Sequence, residues 1–129
     1  MRSAMSRIWI ALGGIAGLLA VGMAAWAAHG LPQRLDPARL AMVHSAVTQQ
    51  GWHALALLAA GLLEPRFGWP ARLAGLGFAL GLLLFCGAVY AAALGGISLG
   101  PVAPTGGMLL MAGWACLVAA ALRGPVAGR

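Results

Sequence analysis

Six polar residues crowd into ten consecutive positions of an otherwise apolar stretch: His44, Ser45, Thr48, Gln49, Gln50 and His53. Imidazoles, carboxamides and hydroxyls at that density offer proton transfer or ligand binding through hydrogen bonds. Ser45, Gln49 and His53 fall at i, i+4 and i+8, so on a helix they form one stripe, which in lipid must point inward. Gln50 lies one helical step beside it and reaches His53 at i+3. His29, Tyr90 and Thr105 are further polar groups within or at the edge of long apolar runs.

Few reactions fit the rest of the chain. Its only carboxylates are Asp36 and Glu64, expected on opposite sides of a membrane, so paired acid/base catalysis is excluded. A Ser/His/Asp set would need Ser45, a histidine and Asp36, yet no nucleophile elbow or oxyanion loop accompanies them. His44 and His53 are separated by about 13 Å along one helix and point in different directions, so they cannot share an ion. A bis-histidine haem would need His29 with one of them. Cys86 and Cys116 cannot make a structural zinc site alone and read as small packing residues. Gly106 and Gly107, at the expected start of a helix, could offer N–H groups to an anion or simply form a tight turn. The chain is expected to be no enzyme, with no catalytic residue, metal or cofactor.

These groups are positioned by elements that composition makes plain. Of 129 residues, 62% are hydrophobic and 8% charged, whereas a soluble globular chain carries about 25% charge. About 80 apolar residues amount to about four spans of about 20. The net charge of +6 comes entirely from scattered arginines, without the basic stripe a nucleic-acid partner requires. Lysine is absent while alanine, glycine and arginine abound, as in a GC-rich bacterial genome.

Uncharged or nearly uncharged runs place four spans at 8–28, 41–63, 73–95 and 104–122 within a single domain, 1–129. The first resembles a signal peptide, with Arg2 and Arg7 ahead of it and small residues at Ala25, Ala27 and Ala28. It exceeds the signal core of about 7 to 15 residues and is expected to be retained. Trp9 and Trp26, about 26 Å apart on a helix, fit an aromatic belt at its two interfaces. Asp36 followed by Pro37 reads as an N-cap with proline at the first helical position. The second helix is expected to run over 37–63, stopped by Glu64 and Pro65. Gly13 with Gly17, the stripe Ala16, Ala20, Ala24, Ala28, and Gly77 with Gly81 are candidate packing seams.

An even number of spans puts Arg2, Arg7, Arg66, Arg72, Arg123 and Arg129 on one side and Arg34 and Arg39 on the other. This bias predicts that both termini are cytoplasmic. The expected fold is therefore all-α: a polytopic four-helix transmembrane bundle in a cell inner membrane. Measured from Ala41 at the outer boundary, His44 lies about 4 to 5 Å deep, Gln49 about 12 Å and His53 about 18 Å. Tyr90 comes about 7 to 8 Å from the same boundary, while His29 closes the first span and Thr105 opens the fourth. Polar groups of all four helices thus gather in the outer half, with nothing comparable in the inner half. Either they hydrogen-bond across helices and fix their register, or they line an outer-facing pocket that binds a small molecule or a proton.

Several segments together resemble a known family. They are Ala28-His29-Gly30-Leu31, Ala46-Val47, Gln50, Trp52-His53-Ala54-Leu55-Ala56-Leu57-Leu58, Phe85-Cys86-Gly87-Ala88-Val89-Tyr90, Pro104-Thr105-Gly106-Gly107 and Gly113-Trp114. In this order they are similar to domain-of-unknown-function family 423, the YgdD-like bacterial inner-membrane proteins, to which the animal transmembrane protein 256 is related. The family pattern usually has a glutamate where this chain has His44 and an aromatic where it has Gln49. The resemblance implies a four-helix membrane protein and no established activity, and highlights His29, Gln50, His53 and Tyr90. The expected role is that of a non-enzymatic structural or accessory component. Its partners would be the lipid bilayer and, beyond it, another copy or a membrane protein.

Topology reporters inserted in 32–37 and in 98–101 are expected both to read outside. A cytoplasmic signal from either would overturn the four-span arrangement.

Overall fold

The computed structural model describes residues 3–128. Arg2 and Arg129, both used in the topology argument, lie outside the described residues. All regular structure described is helical: α1 (Ala4–His29), α2 (Pro37–Phe67), α3 (Trp69–Gly95) and α4 (Val102–Arg123), with a short 3-10 turn at Leu31–Gln33. The helix starts follow local chemistry. Ser3 Oγ accepts from the Ser6 N–H, and Asp36 accepts from the Arg39 N–H with Pro37 next to it, each satisfying a donor that the first turn leaves free. Gly68 (φ 73°) separates α2 from α3, and Gly96 (φ 65°) closes α3 in the left-handed conformation that favours glycine.

α1, α3 and α4 are each long and apolar enough to cross a membrane. α2, with 31 residues, is the longest helix, but the polar run 44–53 keeps its hydropathy below theirs. It also runs past the expected stop at Glu64. Pro65 lacks the N–H that would bond the Gly61 carbonyl. That carbonyl instead accepts Ser6 Oγ–H from α1 at 2.5 Å, so a neighbouring helix replaces the missing bond. α2 then continues to Gly68, whose N–H bonds the Glu64 carbonyl.

Consecutive helices pack side by side: α1 on α2, α2 on α3, α3 on α4. Among the described residues α1 and α4 do not touch, so the helices form an open row around the α2–α3 pair, not a closed ring. Short connections make each helix the neighbour of the one before, and no contact closes the ends of the row. The seams are built on glycine. A Cβ at Gly13 would stand 2.8 Å from the Ala54 carbonyl oxygen, one at Gly61 2.8 Å from that of Ser6, and one at Gly81 2.8 Å from that of Gly106. Gly77 meets the Leu109 carbonyl at 3.0 Å in the same sense, so the Gly77/Gly81 pair is the α3–α4 seam. Gly17 is looser, at 3.8 Å from Ala54. In the alanine stripe only Ala20 is buried, while Ala24 and Ala28 are exposed, because the buried edge of α1 passes to Ala27 and Leu31.

Trp9 departs from the aromatic belt. It is 4% exposed and lies on α3, where a Cβ on Gly75 would come within 2.5 Å of its ring. The missing side chain at Gly75 makes the slot that takes the indole. Trp26, 39% exposed, stays at the surface.

Gly81→Val should lower the thermal midpoint by the equivalent of about 1 to 3 kcal/mol, through overpacking. Gly14→Ala, where an added Cβ meets nothing within 4 Å, should leave it unchanged or raised. Equal losses in the two variants, measured by thermal unfolding in detergent, would show that the α3–α4 seam is not close-packed.

Candidate functional site

The buried stripe of α2 differs from the one the polar spacing suggests. Val43, Ala46, Gln50, His53, Leu57, Ala60 and Glu64 are buried, whereas Ser45 is exposed and Gln49 half-buried. Only His53 of the Ser45/Gln49/His53 stripe faces inward, because α1 and α3 cover the flank of α2 that carries Gln50.

Gln50 joins three helices. Tyr90 Oη on α3 donates to its Oε1 at 2.7 Å, and its Nε2 donates to the Ala16 carbonyl of α1 at 2.9 Å. One amide thereby holds both neighbours of α2 at one level. His53 joins the fourth. Its Nδ1 lies 2.7 Å from the Gln49 carbonyl oxygen, and Trp114 Nε1 of α4 donates to its Nε2 at 3.0 Å. A carbonyl can only accept and an indole N–H can only donate, so the tautomer protonated at Nδ1 satisfies both. Phe78 and Trp114 pack against the imidazole, with ring centroids 5.7 and 5.8 Å away. Cys86 adds a weak bond, its thiol 3.4 Å from the Ala46 carbonyl.

His29, His44 and Thr105 do not join this group. All three are exposed. Thr105 Oγ1 donates to the Pro101 carbonyl at 2.8 Å, tying down the start of its own helix. Gly106 is also placed differently from a helix-start anion site. α4 begins at Val102, so Gly106 lies a turn inside, packed against Gly81 and Phe85 of α3.

A second polar level lies at the other end of α2. Glu64 is 1% exposed; its Oε2 accepts from Ser3 Oγ at 2.6 Å and its Oε1 from Arg72 Nη2 at 2.7 Å. A buried carboxylate requires such partners, and they come from the N-terminal ends of α1 and α3, where helix dipoles favour negative charge. With the Ser6–Gly61 bond, the end of α2 expected to be empty of polar contacts thus carries a three-helix junction. In sequence Glu64 reads as a helix stop beside Pro65. The available signal was its pairing with Arg72 at the head of the next helix.

Two lateral grooves flank the cluster. One, of about 450 Å³, runs between α1 and α3 with Gln50 and Tyr90 among otherwise mainly apolar lining. The other, of about 550 Å³, lies between α2 and α4 beside Gln49, His53 and Trp114. Neither is a closed polar chamber, and the polar atoms of Gln50, His53 and Tyr90 are engaged with one another or with neighbouring helices.

The profile of the family described as proteins of unknown function, DUF423, matches residues 23–107. A UPF0382 membrane protein of Staphylococcus epidermidis is 35% identical over 118 residues, covering 91% of this chain and 97% of that one. The UPF0382 membrane protein YwdK of Bacillus subtilis is 32% identical, covering 91% and 98%. A UPF0382 membrane protein of Schizosaccharomyces pombe is 37% identical, covering 81% and 92%. No solved structure matches the chain.

Gln50→Leu and Tyr90→Phe should each destabilise the protein, and the double variant should lose less than the sum. The coupling expected from a thermal double-mutant cycle is about 0.6 kcal/mol and at most about 1.7. Strict additivity would mean that the Tyr90–Gln50 bond does not hold α2 to α3.

Proposed function

Because the chain belongs to the DUF423 family, we propose that it is a non-enzymatic structural or accessory component of a bacterial inner membrane. All four helices span the bilayer and both termini are cytoplasmic. Arg7, Arg66, Arg72 and Arg123 support that orientation, since they lie at the same end of their helices, where Ser6 meets Gly61, Arg72 meets Glu64 and Arg123 meets Trp69, and basic residues concentrate on the cytoplasmic side. α2 has the length for its part, at about 46 Å, and its buried polar side chains face neighbouring helices. The whole chain acts as one domain.

One observation carries the accessory role over transport. Gln50, His53 and Tyr90 spend their polar atoms on the Ala16 and Gln49 carbonyls, Trp114 and each other, which is how polar groups act as helix-register bonds within lipid. A conducting or ligand-binding site would instead present some of them to a water-filled path. The broad outer faces of the helices, which include Leu18, Val21, Leu83 and Leu122, are available to lipid and to membrane partners.

Protein reconstituted in vesicles under an imposed potential should pass no more protons than empty vesicles, as read by an entrapped pH dye. A proton flux that disappears in both His53→Ala and Tyr90→Phe would overturn this reading in favour of a transport unit.

A further inference from the structure

Charge is balanced differently at the two ends of the helices. At the outer end Arg39 stands 4.0 Å from Asp36. At the cytoplasmic end the one acidic side chain, Glu64, is buried and bonded to Ser3 and Arg72. Arg66 and Arg123 are exposed there and meet no carboxylate among the described residues. Both are gathered at the turn between α2 and α3. The Arg66 guanidinium lies 5.8 Å from the centre of the Phe67 ring, and that of Arg123 5.0 Å from the centre of the Trp69 ring. The chain after α4 folds back to the same turn. There the Val126 N–H donates to the Arg66 carbonyl at 2.8 Å, and its side chain lies against Gly68, where an added Cβ would meet it at 3.1 Å. Like charges from the ends of α2 and α4 are thereby held at one turn, where each disfavours the other. An anion beside both removes that repulsion and gains the charge-assisted bonds that guanidinium groups make with phosphate oxygens.

The surface below the turn identifies the anion. Trp69 is 56% exposed, and Leu73, Leu76 and Leu80 follow it in steps of four, three and four, each 44 or 45% exposed. They form one uncovered stripe of α3 that starts at the indole beside Arg123 and runs into the bilayer core. A tryptophan at that junction marks the level of the headgroups. A ligand seated here needs negative charge at one end and hydrocarbon at the other. An inorganic anion or an acidic segment of a soluble protein has the first without the second. A phospholipid of net negative charge has both, with its phosphate at Arg66 and Arg123 and its chains along the leucines. In a zwitterionic phospholipid the headgroup's own cation cancels much of that attraction.

We infer that the α2–α3 turn, with Arg66, Trp69 and Arg123, is a binding surface for an anionic phospholipid of the cytoplasmic leaflet. The inference rests on the orientation proposed above, with both termini cytoplasmic, and adds to it a specific lipid partner. That lipid ties the end of α4 to the end of α2, two helices otherwise joined by the Trp114–His53 bond.

The test reconstitutes the full chain in nanodiscs of phosphatidylcholine and phosphatidylglycerol in equal parts and counts the lipid it retains by native mass spectrometry. Wild type should retain phosphatidylglycerol in preference. Arg66→Gln and Arg123→Gln should each lower that preference by about fivefold, the effect of one basic residue near an anionic surface. Arg34→Gln, at an exposed position of the outer end, should leave it unchanged. Starting from pure phosphatidylcholine, added phosphatidylglycerol should raise the thermal midpoint of wild type, and inorganic phosphate should not. Absence of a preference in wild type, a preference that survives both substitutions or falls equally in Arg34→Gln, or a midpoint raised by inorganic phosphate would overturn the inference. A membrane-impermeant maleimide tests the orientation separately. It should label Ala127→Cys in inverted vesicles and not in spheroplasts. Labelling in spheroplasts would overturn the orientation and the assignment to the cytoplasmic leaflet with it. A cytoplasmic Ala127→Cys without lipid preference would overturn the inference alone.

Discussion

Inside lipid no hydrophobic force draws one helix to another, since the tails are as apolar as the side chains. Association must come from contact between backbones, and in this protein that contact is made by removing side chains. Gly13 and Gly61 let α1 lie on α2, while Gly77, Gly81, Gly106 and Gly113 let α3 lie on α4. The remaining arrangement depends on this closeness. Carbonyls such as those of Ala16 and Gly61 become reachable by a side chain from the adjacent helix only when the two backbones nearly touch.

Given that approach, a few hydrogen bonds fix rotation and register. They fall at two levels of α2, one at Gln50 and His53 and one at Gly61 and Glu64. α2 is the helix least suited to lipid by composition, and it is an inner helix of the row, with α1 and α3 packed along it and Trp114 of α4 reaching its His53. Its polar residues are expensive when exposed to hydrocarbon and useful when paired, so a central position resolves both conditions. Pro65 illustrates the same economy: the backbone bond it forgoes frees the Gly61 carbonyl, and Ser6 of α1 takes it.

The elements were largely legible in the sequence, for specific reasons. Long uncharged runs locate the helices and Asp36-Pro37 marks the start of α2, whereas that helix ends at Gly68 and not at the expected stop of Glu64 and Pro65. The contents of the site were half legible. Membrane cost singles out Gln50, His53 and Tyr90 because nothing else explains an amide, an imidazole and a phenol in apolar runs. It singles out His29, His44 and Thr105 on the same ground, yet these sit near helix ends where they remain exposed. Cost alone does not separate a buried polar group from one at a boundary. Trp114 and Trp9 were illegible as partners because an indole in an apolar span has the same composition whether it faces lipid, a histidine or a glycine slot.

By itself, then, the sequence determined an all-α chain, with three helices plainly able to cross a membrane and a fourth loaded with polar groups. Periodicity and hydropathy act along the chain, and those properties are local. Only the tertiary structure decided which face of α2 is covered, that Glu64 is a buried junction and not a helix stop, that Trp9 fills the gap at Gly75, and that α1 and α4 stay apart. Each of these depends on which carbonyl or which missing Cβ a neighbouring helix presents, and that is set by rotations of whole helices that no spacing within a single helix records.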